Sequence, residues 1–199
     1  MPPDLRTRLL GALLPTLLLA GCATEVESPT ESRIGRVQAK SGEVWGRDLG
    51  QGLGLEAWDL CQELGEVDCI TDAHRITLGG VEPTVLGIDQ PLDNAAVSAP
   101  IAVDRVATSA CAERYRRDQA GPAVLFGPVL DGDVASYNAR LMVSRALVER
   151  LLSRRANADE DAALVDLYDA LKPLSTDLAR DWSVGACVVV ATSTEALFY

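Results

Sequence analysis

Hydrophobic residues fall into three regimes along this chain. The first is a largely apolar run over residues 9–19, preceded by Arg6 and Arg8. A membrane-spanning helix needs about 20 apolar residues, so this run has the length of a secretory signal core behind a positive n-region. The second regime is polar. Residues 23–33, ATEVESPTESR, have no apolar period and contain Pro29, which reads as a flexible tether. Residues 34–54 then carry Gly35, Gly42, Gly46, Gly50, Gly52 and Gly54. That density argues for loops, with a short strand around residues 43–45.

The third regime, residues 55–199, has helical periodicity. Ala57, Trp58, Cys61 and Leu64 share one face of a helix over 55–64, which Gly65 ends as a left-handed C′ residue. A short helix over 70–78 follows, with Asp68 as its cap, Ile70, Ala73 and Thr77 as its stripe and Gly79-Gly80 as its stop. Residues 81–100 contain Pro83, Gly87, Pro91 and Pro100 and form a loop that wraps the core or serves as a surface for a partner. A helix over 101–117 turns Val103, Val106, Ala107 and Ala110 inward and ends before Gly121-Pro122. Asp133 caps a helix over 134–155 with Tyr137, Leu141, Val148, Leu151 and Leu152 inward. Asn157 and Glu160 are spaced as a capping box, opening a helix that carries Leu164, Leu167, Tyr168 and Leu171. Pro173 lies past its end. Ser175 or Thr176 starts the last helix, through Trp182 and residues 184–191. The β-branched run Val188-Val189-Val190 favours a strand locally, but the helical frame around it decides for helix. Short connections imply an antiparallel bundle of the last three helices. The fold class is all-α: five or six helices with long Gly/Pro-rich loops.

Leu19-Ala20-Gly21-Cys22 closes the apolar N-terminal run and resembles the lipobox of bacterial lipoproteins. The resemblance implies that Cys22 receives a diacylglycerol thioether, that the signal is cut before it, and that the new amine is acylated. Several chains at about 0.8 kcal/mol per buried methylene hold a protein on a membrane permanently. Ala23 stands where an aspartate often retains lipoproteins in the inner membrane, so the resemblance points to the periplasmic face of the outer membrane in a two-membrane host. The organisation is then a signal over 1–21, a lipidated Cys22 with tether and Gly-rich lead-in over 22–54, and a helical domain over 55–199.

Loss of Arg6, Arg8 and Asp4 with the signal reduces 18 basic and 29 acidic residues to 16 and 28, a net charge of −12. This excludes nucleic acid and anionic headgroups as electrostatic partners. With Cys22 lipidated, Cys61, Cys69, Cys111 and Cys187 remain, an even number suited to two disulfides in an oxidising compartment. Of three connectivities, Cys61 with Cys69 and Cys111 with Cys187 is preferred. The alternative leaves some as buried thiols, Cys187 first among them because it sits in an apolar run.

Candidate chemistry is sparse. His74 is the sole histidine, so any Ser-His-Asp arrangement must use it; Cys69 and Asp72 lie near it without metal-ligand spacing. Asp131-Gly132-Asp133 lacks the rest of a calcium loop and reads as a turn and cap. The G-x-G within 50–54 has no preceding strand and no following GK[ST]. Glu56, Asp59, Glu63, Glu66 and Asp68 form a solvated acidic face, and Arg114, Arg116 and Arg117 complement a helix C-terminus or form an anion site. Trp45, Trp58 and Trp182 are packing or interface anchors, with burial the default. No catalytic residue, metal ligand set or cofactor is assigned.

The segment RLLSRRANADEDAALVDLYDAL…WSVGACVVVATSTEALFY resembles helical modules of large secreted, cytochrome-associated proteins of planctomycetes and myxobacteria. The likeness rests on the helix start with Asn157 and Glu160 and the terminal Ser/Thr-x-Glu-x-Leu-Phe pattern. It implies an accessory piece of an exported redox or hydrolytic system, without its own haem because C-x-x-C-H is absent. The expected function is a non-catalytic binding or assembly module, held at a membrane by lipid and meeting another envelope protein. An enzyme built on His74 and Cys69 ranks last.

Overall fold

The computed structural model describes residues 37–91 and 97–199. The expected signal segment, the lipobox-like residues with Cys22 and the expected tether to residue 33 lie outside the described residues. In chain order the elements are α1 (Gly42–Leu53), α2 (Ala57–Leu60), β1 (Gln62–Glu63), β2 (Val67–Asp68), a π-helical turn (Cys69–Ala73), α3 (Ala99–Ala120), α4 (Gly127–Leu130), α5 (Tyr137–Leu152), α6 (Ala158–Leu171), α7 (Leu178–Ala191) and α8 (Thr194–Leu197). The fold is mainly α-helical, as expected: five helices of 12 residues or more, supplemented by single turns among the described residues.

The Gly-rich lead-in is the main correction. Instead of loops and a strand at 43–45, residues 42–53 form α1, capped by Ser41, whose Oγ accepts from Val44 N. Its glycines are packing positions. Gly42, Gly46, Gly50 and Gly52 are buried together with Trp45, Leu49 and Leu53. A Cβ at Gly42 would lie 2.6 Å from Leu78 Cβ, and one at Gly52 would lie 2.6 Å from Leu151 Cδ2 and 2.9 Å from the Arg150 carbonyl oxygen. Close approach of neighbouring elements thus offsets the entropic cost of glycine in a helix. The compact unit accordingly begins at Val37, ahead of the expected start at residue 55.

The helix expected over 55–64 stops after one turn. Cys61 is extended and opens a two-stranded antiparallel hairpin with register Gln62↔Asp68 and Glu63↔Val67. Leu64, placed inward by helical spacing, is exposed at the hairpin tip. The helix expected over 70–78 is a π-helical turn followed by tight turns. Asp68 caps it as anticipated, accepting from Ile70 N at 2.8 Å and Thr71 N at 2.7 Å.

The C-terminal half follows its pattern more closely. Asn157 Oδ1 accepts from Asp159 N and Glu160 N, and Asn157 N donates to Glu160 Oε2, each at 2.9 Å; the capping box is complete. Ser136 rather than Asp133 caps α5, and Asp133 accepts from Ala135 N in the preceding turn. The buried face of α5 is Ala139, Arg140, Val143, Ser144, Leu147 and Val148, while Tyr137 is exposed. Asp177 caps α7, which stays helical through Val188–Val190.

Trp45, Leu53, Leu60, Val106, Phe126, Val143, Leu147 and Trp182 belong to one core. The indole N–H groups of Trp45 and Trp182 donate to the Ala191 and Leu164 carbonyls at 3.1 and 3.0 Å, so neither buried tryptophan leaves its donor unpaired. Both preferred disulfides are present. Cys111–Cys187 joins α3 to α7 across 76 residues, with Cα atoms 5.9 Å apart, and Cys61–Cys69 closes the hairpin at 5.4 Å. Cys187 is therefore bonded, not a buried thiol. A bridge between Ala39 and Phe198 clasps the two ends of the unit, with Lys40 N donating to Leu197 O at 2.8 Å and Tyr199 N to Gln38 O at 3.0 Å.

Two stability tests follow from these contacts. Replacing Cys111 and Cys187 together by Ser reopens a long loop and should cost about 4 kcal/mol in urea unfolding, against about 2.5 for the Cys61/Cys69 pair. Equal losses would contradict the chain-entropy account. Gly52→Ala improves helix propensity by about 1 kcal/mol, yet it should destabilise by about 1–2 kcal/mol because its Cβ meets backbone. A gain in stability would remove the close-approach explanation for α1.

Candidate interaction surface

The hairpin after α2 is exposed at its tip and closely constrained. Its disulfide, the Cys69 N to Cys61 O bond at 3.2 Å and the Glu66 N to Glu63 O bond at 3.1 Å close a loop of very few residues. The central turn residues both have positive φ, Leu64 at 55° and Gly65 at 76°, as a type I′ turn requires. The hairpin is docked by Glu63, whose carboxylate meets His74 Nε2 at 3.2 Å and accepts from the Arg105 guanidinium of α3. Leu64 is 97% exposed, Trp58 54% and Val67 41%.

Beside this hairpin lies an open cleft of about 600 Å³ between α2, α3 and the start of α7, lined by Trp58, Gln62, Glu113, Arg116, Asp177 and Arg180 among others. Glu113 and Asp59 of this lining are held in ion pairs, while the exposed Arg180 forms none with described residues. Glu113 accepts from Arg116 Nε at 2.8 Å and Nη2 at 2.6 Å, and from Arg117 Nε at 2.7 Å. The hydrogen bond from Arg116, followed by that from Arg117, outweighs partial burial and holds the Glu113 carboxyl down to about 2. Arg117 also pairs with Asp59 at 2.6 Å, tying α3 to α2. Burial, then the nearby Asp177 carboxylate, pushes the Tyr115 hydroxyl up. A second cleft of about 470 Å³ lies by the end clasp, where Lys40 pairs with Asp48 at 2.9 Å and Arg150 Nε donates to Gly52 O at 2.7 Å.

The residues singled out in the sequence are mostly dispersed into structural duties. Arg114 is buried against Asp118, while Arg116 and Arg117 share Glu113. The three guanidiniums therefore face carboxylates rather than a common anion site. Within the acidic face, Asp59, Glu63 and Asp68 are engaged by Arg117, by His74 with Arg105, and by backbone N–H groups, respectively. Glu56 and Glu66 are exposed and form no ion pair with described residues. Cys69 is disulfide-bonded, which removes it as a thiolate nucleophile beside His74. Among the described residues, no group of three or more His, Cys, Asp or Glu side chains is placed to hold a metal ion. Trp58 departs from the default of burial.

Helical spacing concealed Leu64 as a surface residue. The available signal was Leu64-Gly65 midway between two cysteines eight apart, a turn dipeptide inside a short closed loop. Comparison with known proteins finds no matching family, no matching curated protein and no matching solved structure.

The Glu113 pairing sets a pH dependence. A carboxyl depressed from its ordinary 4.5 to about 2 contributes stability above pH 4.5 and loses it as pH falls toward 2. Glu113→Gln should therefore cost about 1 kcal/mol at pH 7, discounted for partial exposure. The gap from wild type should close between pH 4.5 and 2 in thermal unfolding. A gap that is unchanged at pH 2 would contradict the ion pairing.

Proposed function

We propose that the chain is a membrane-anchored envelope lipoprotein acting as a non-catalytic binding or assembly module. The observation that carries this reading is the lipobox-like Leu19-Ala20-Gly21-Cys22, which ends a signal-like run fourteen residues ahead of the compact unit that starts at Val37. Fourteen extended residues reach about 50 Å at most, enough to let a folded unit work beside the membrane surface. Two disulfides are compatible with an exported protein. No helix among the described residues is long and apolar enough to cross a membrane, so lipid on Cys22 supplies the attachment in this reading. Ala23 directs the protein to the outer membrane of a two-membrane host, facing the periplasm.

A binding role draws support from how the reactive side chains are used. Cys69, His74, Asp59 and Glu113 are each engaged in a bond or ion pair that holds local structure, while Trp58 and Leu64 are left open to contact. The partner in this reading is another envelope protein.

In detergent phase separation of cell extracts, wild type should enter the detergent-rich phase and Cys22→Ser should remain aqueous. Equal partitioning of both into water would sink the anchor. Cross-linking in intact cells should recover a protein partner in stoichiometric amount.

A further inference from the structure

The hairpin tip points to the partner's chemistry, an inference that rests on the binding-module reading. A type I′ turn favours Asn or Gly at its first central position, because side chains with Cβ branches and bulk resist positive φ. Here that position is Leu64, at φ 55° and 97% exposed. Leucine thus aids neither the turn nor the core. It is nonetheless held still: the Cys61–Cys69 disulfide closes the loop, and Glu63 is pinned by His74 and Arg105. Val67, directly opposite Glu63 in the ladder, and Trp58, whose carbonyl accepts from Gln62 Nε2 at 2.9 Å, add apolar surface at the base. Rigid presentation reduces the ordering cost of association, and an exposed tryptophan such as Trp58 is of a residue type enriched at binding hot spots.

Charge narrows the occupant. The nearby cations Arg105 and Arg117 are bound to Glu63 and Asp59, whereas the exposed Glu66 and Glu56 have no ion pair with described residues. Unpaired charge next to the apolar surface is therefore mainly negative, Glu56 and Glu66 against the single exposed Arg180 that lines the cleft by Trp58. A second copy of this surface and an anionic lipid headgroup would both be repelled.

We propose that Leu64 is the plug of a protein–protein interface, entering an apolar socket rimmed by Lys or Arg on another envelope protein. The test uses the full chain in its own cells, with a photo-cross-linking amino acid at Val67 near the tip or at exposed Met142 on α5. The Val67 probe should give an adduct whose cross-linked peptide carries apolar residues flanked by Lys or Arg. Leu64→Asn and Glu66→Lys should each reduce that adduct at least tenfold. Purified Leu64→Asn should melt no lower than wild type, and about 2 °C higher if the turn gains its preferred residue, so loss of the adduct cannot be loss of folding. An adduct that survives Leu64→Asn overturns the proposal, as does one to lipid, to a second copy or to an acidic surface. Cross-links from Met142 alone defeat the plug and leave the binding module standing. Cross-links from neither position defeat both.

Discussion

One buried carboxylate, Asp118, holds the helical frame in register. Its Oδ1 accepts from Val124 N at 2.8 Å, and its Oδ2 accepts from Leu125 N and Phe126 N at 2.9 and 2.8 Å. Arg114, one turn earlier on α3, closes the set at 2.7 Å. A lone buried charge is costly, but this one is met by three backbone donors and a guanidinium, which charge-assisted bonds make favourable. Removing one member would strand the others. The bonds reverse the chain after α3 and seat Phe126 in the core, 5.8 Å from the Tyr115 ring.

With α3 set in this way, the other constraints extend outward from it. Cys111 fastens α7, Arg117 fastens α2 through Asp59, and Arg105 fastens the hairpin through Glu63. At the opposite end of the sequence Arg154 performs a similar role. Its guanidinium pairs with both Glu160 and Glu195 at 2.6 Å, joining the end of α5 to the cap of α6 and to α8. The hydrogen bond from Arg154, then that from Asn157 N, holds the Glu160 carboxyl down to about 2. These charges organise the interior and its seams.

Legibility in the sequence tracked the range of the interactions involved. The Asn157–Glu160 box and the Asp68 cap act over three residues and were readable directly. The disulfide pairing was readable because four cysteines remain after Cys22 and one pair lies only eight residues apart. By contrast, α1 was not, since Gly42, Gly46 and Gly52 make sense only with Leu78, Ile70 and Leu151 packed against them. The false helix over 55–64 arose because Ala57, Trp58, Cys61 and Leu64 match a helical face, while the Cys61–Cys69 bond and the Leu64-Gly65 turn reverse the chain. The arginine cluster at the end of α3 was visible and its partners Glu113 and Asp118 stand at helical i,i+3 and i,i+4 spacing, whereas the pairing of Arg117 with Asp59 is assigned only by the fold.

The most direct test of the account is the intact mass of the protein purified from its own membranes, with and without reduction before alkylation. A lipidated, disulfide-bonded protein would start at Cys22, carry a lipid-sized mass increment there, and take up alkylating agent on Cys61, Cys69, Cys111 and Cys187 only after reduction. A chain still carrying residues 1–21, or one whose cysteines alkylate without reduction, would contradict the account.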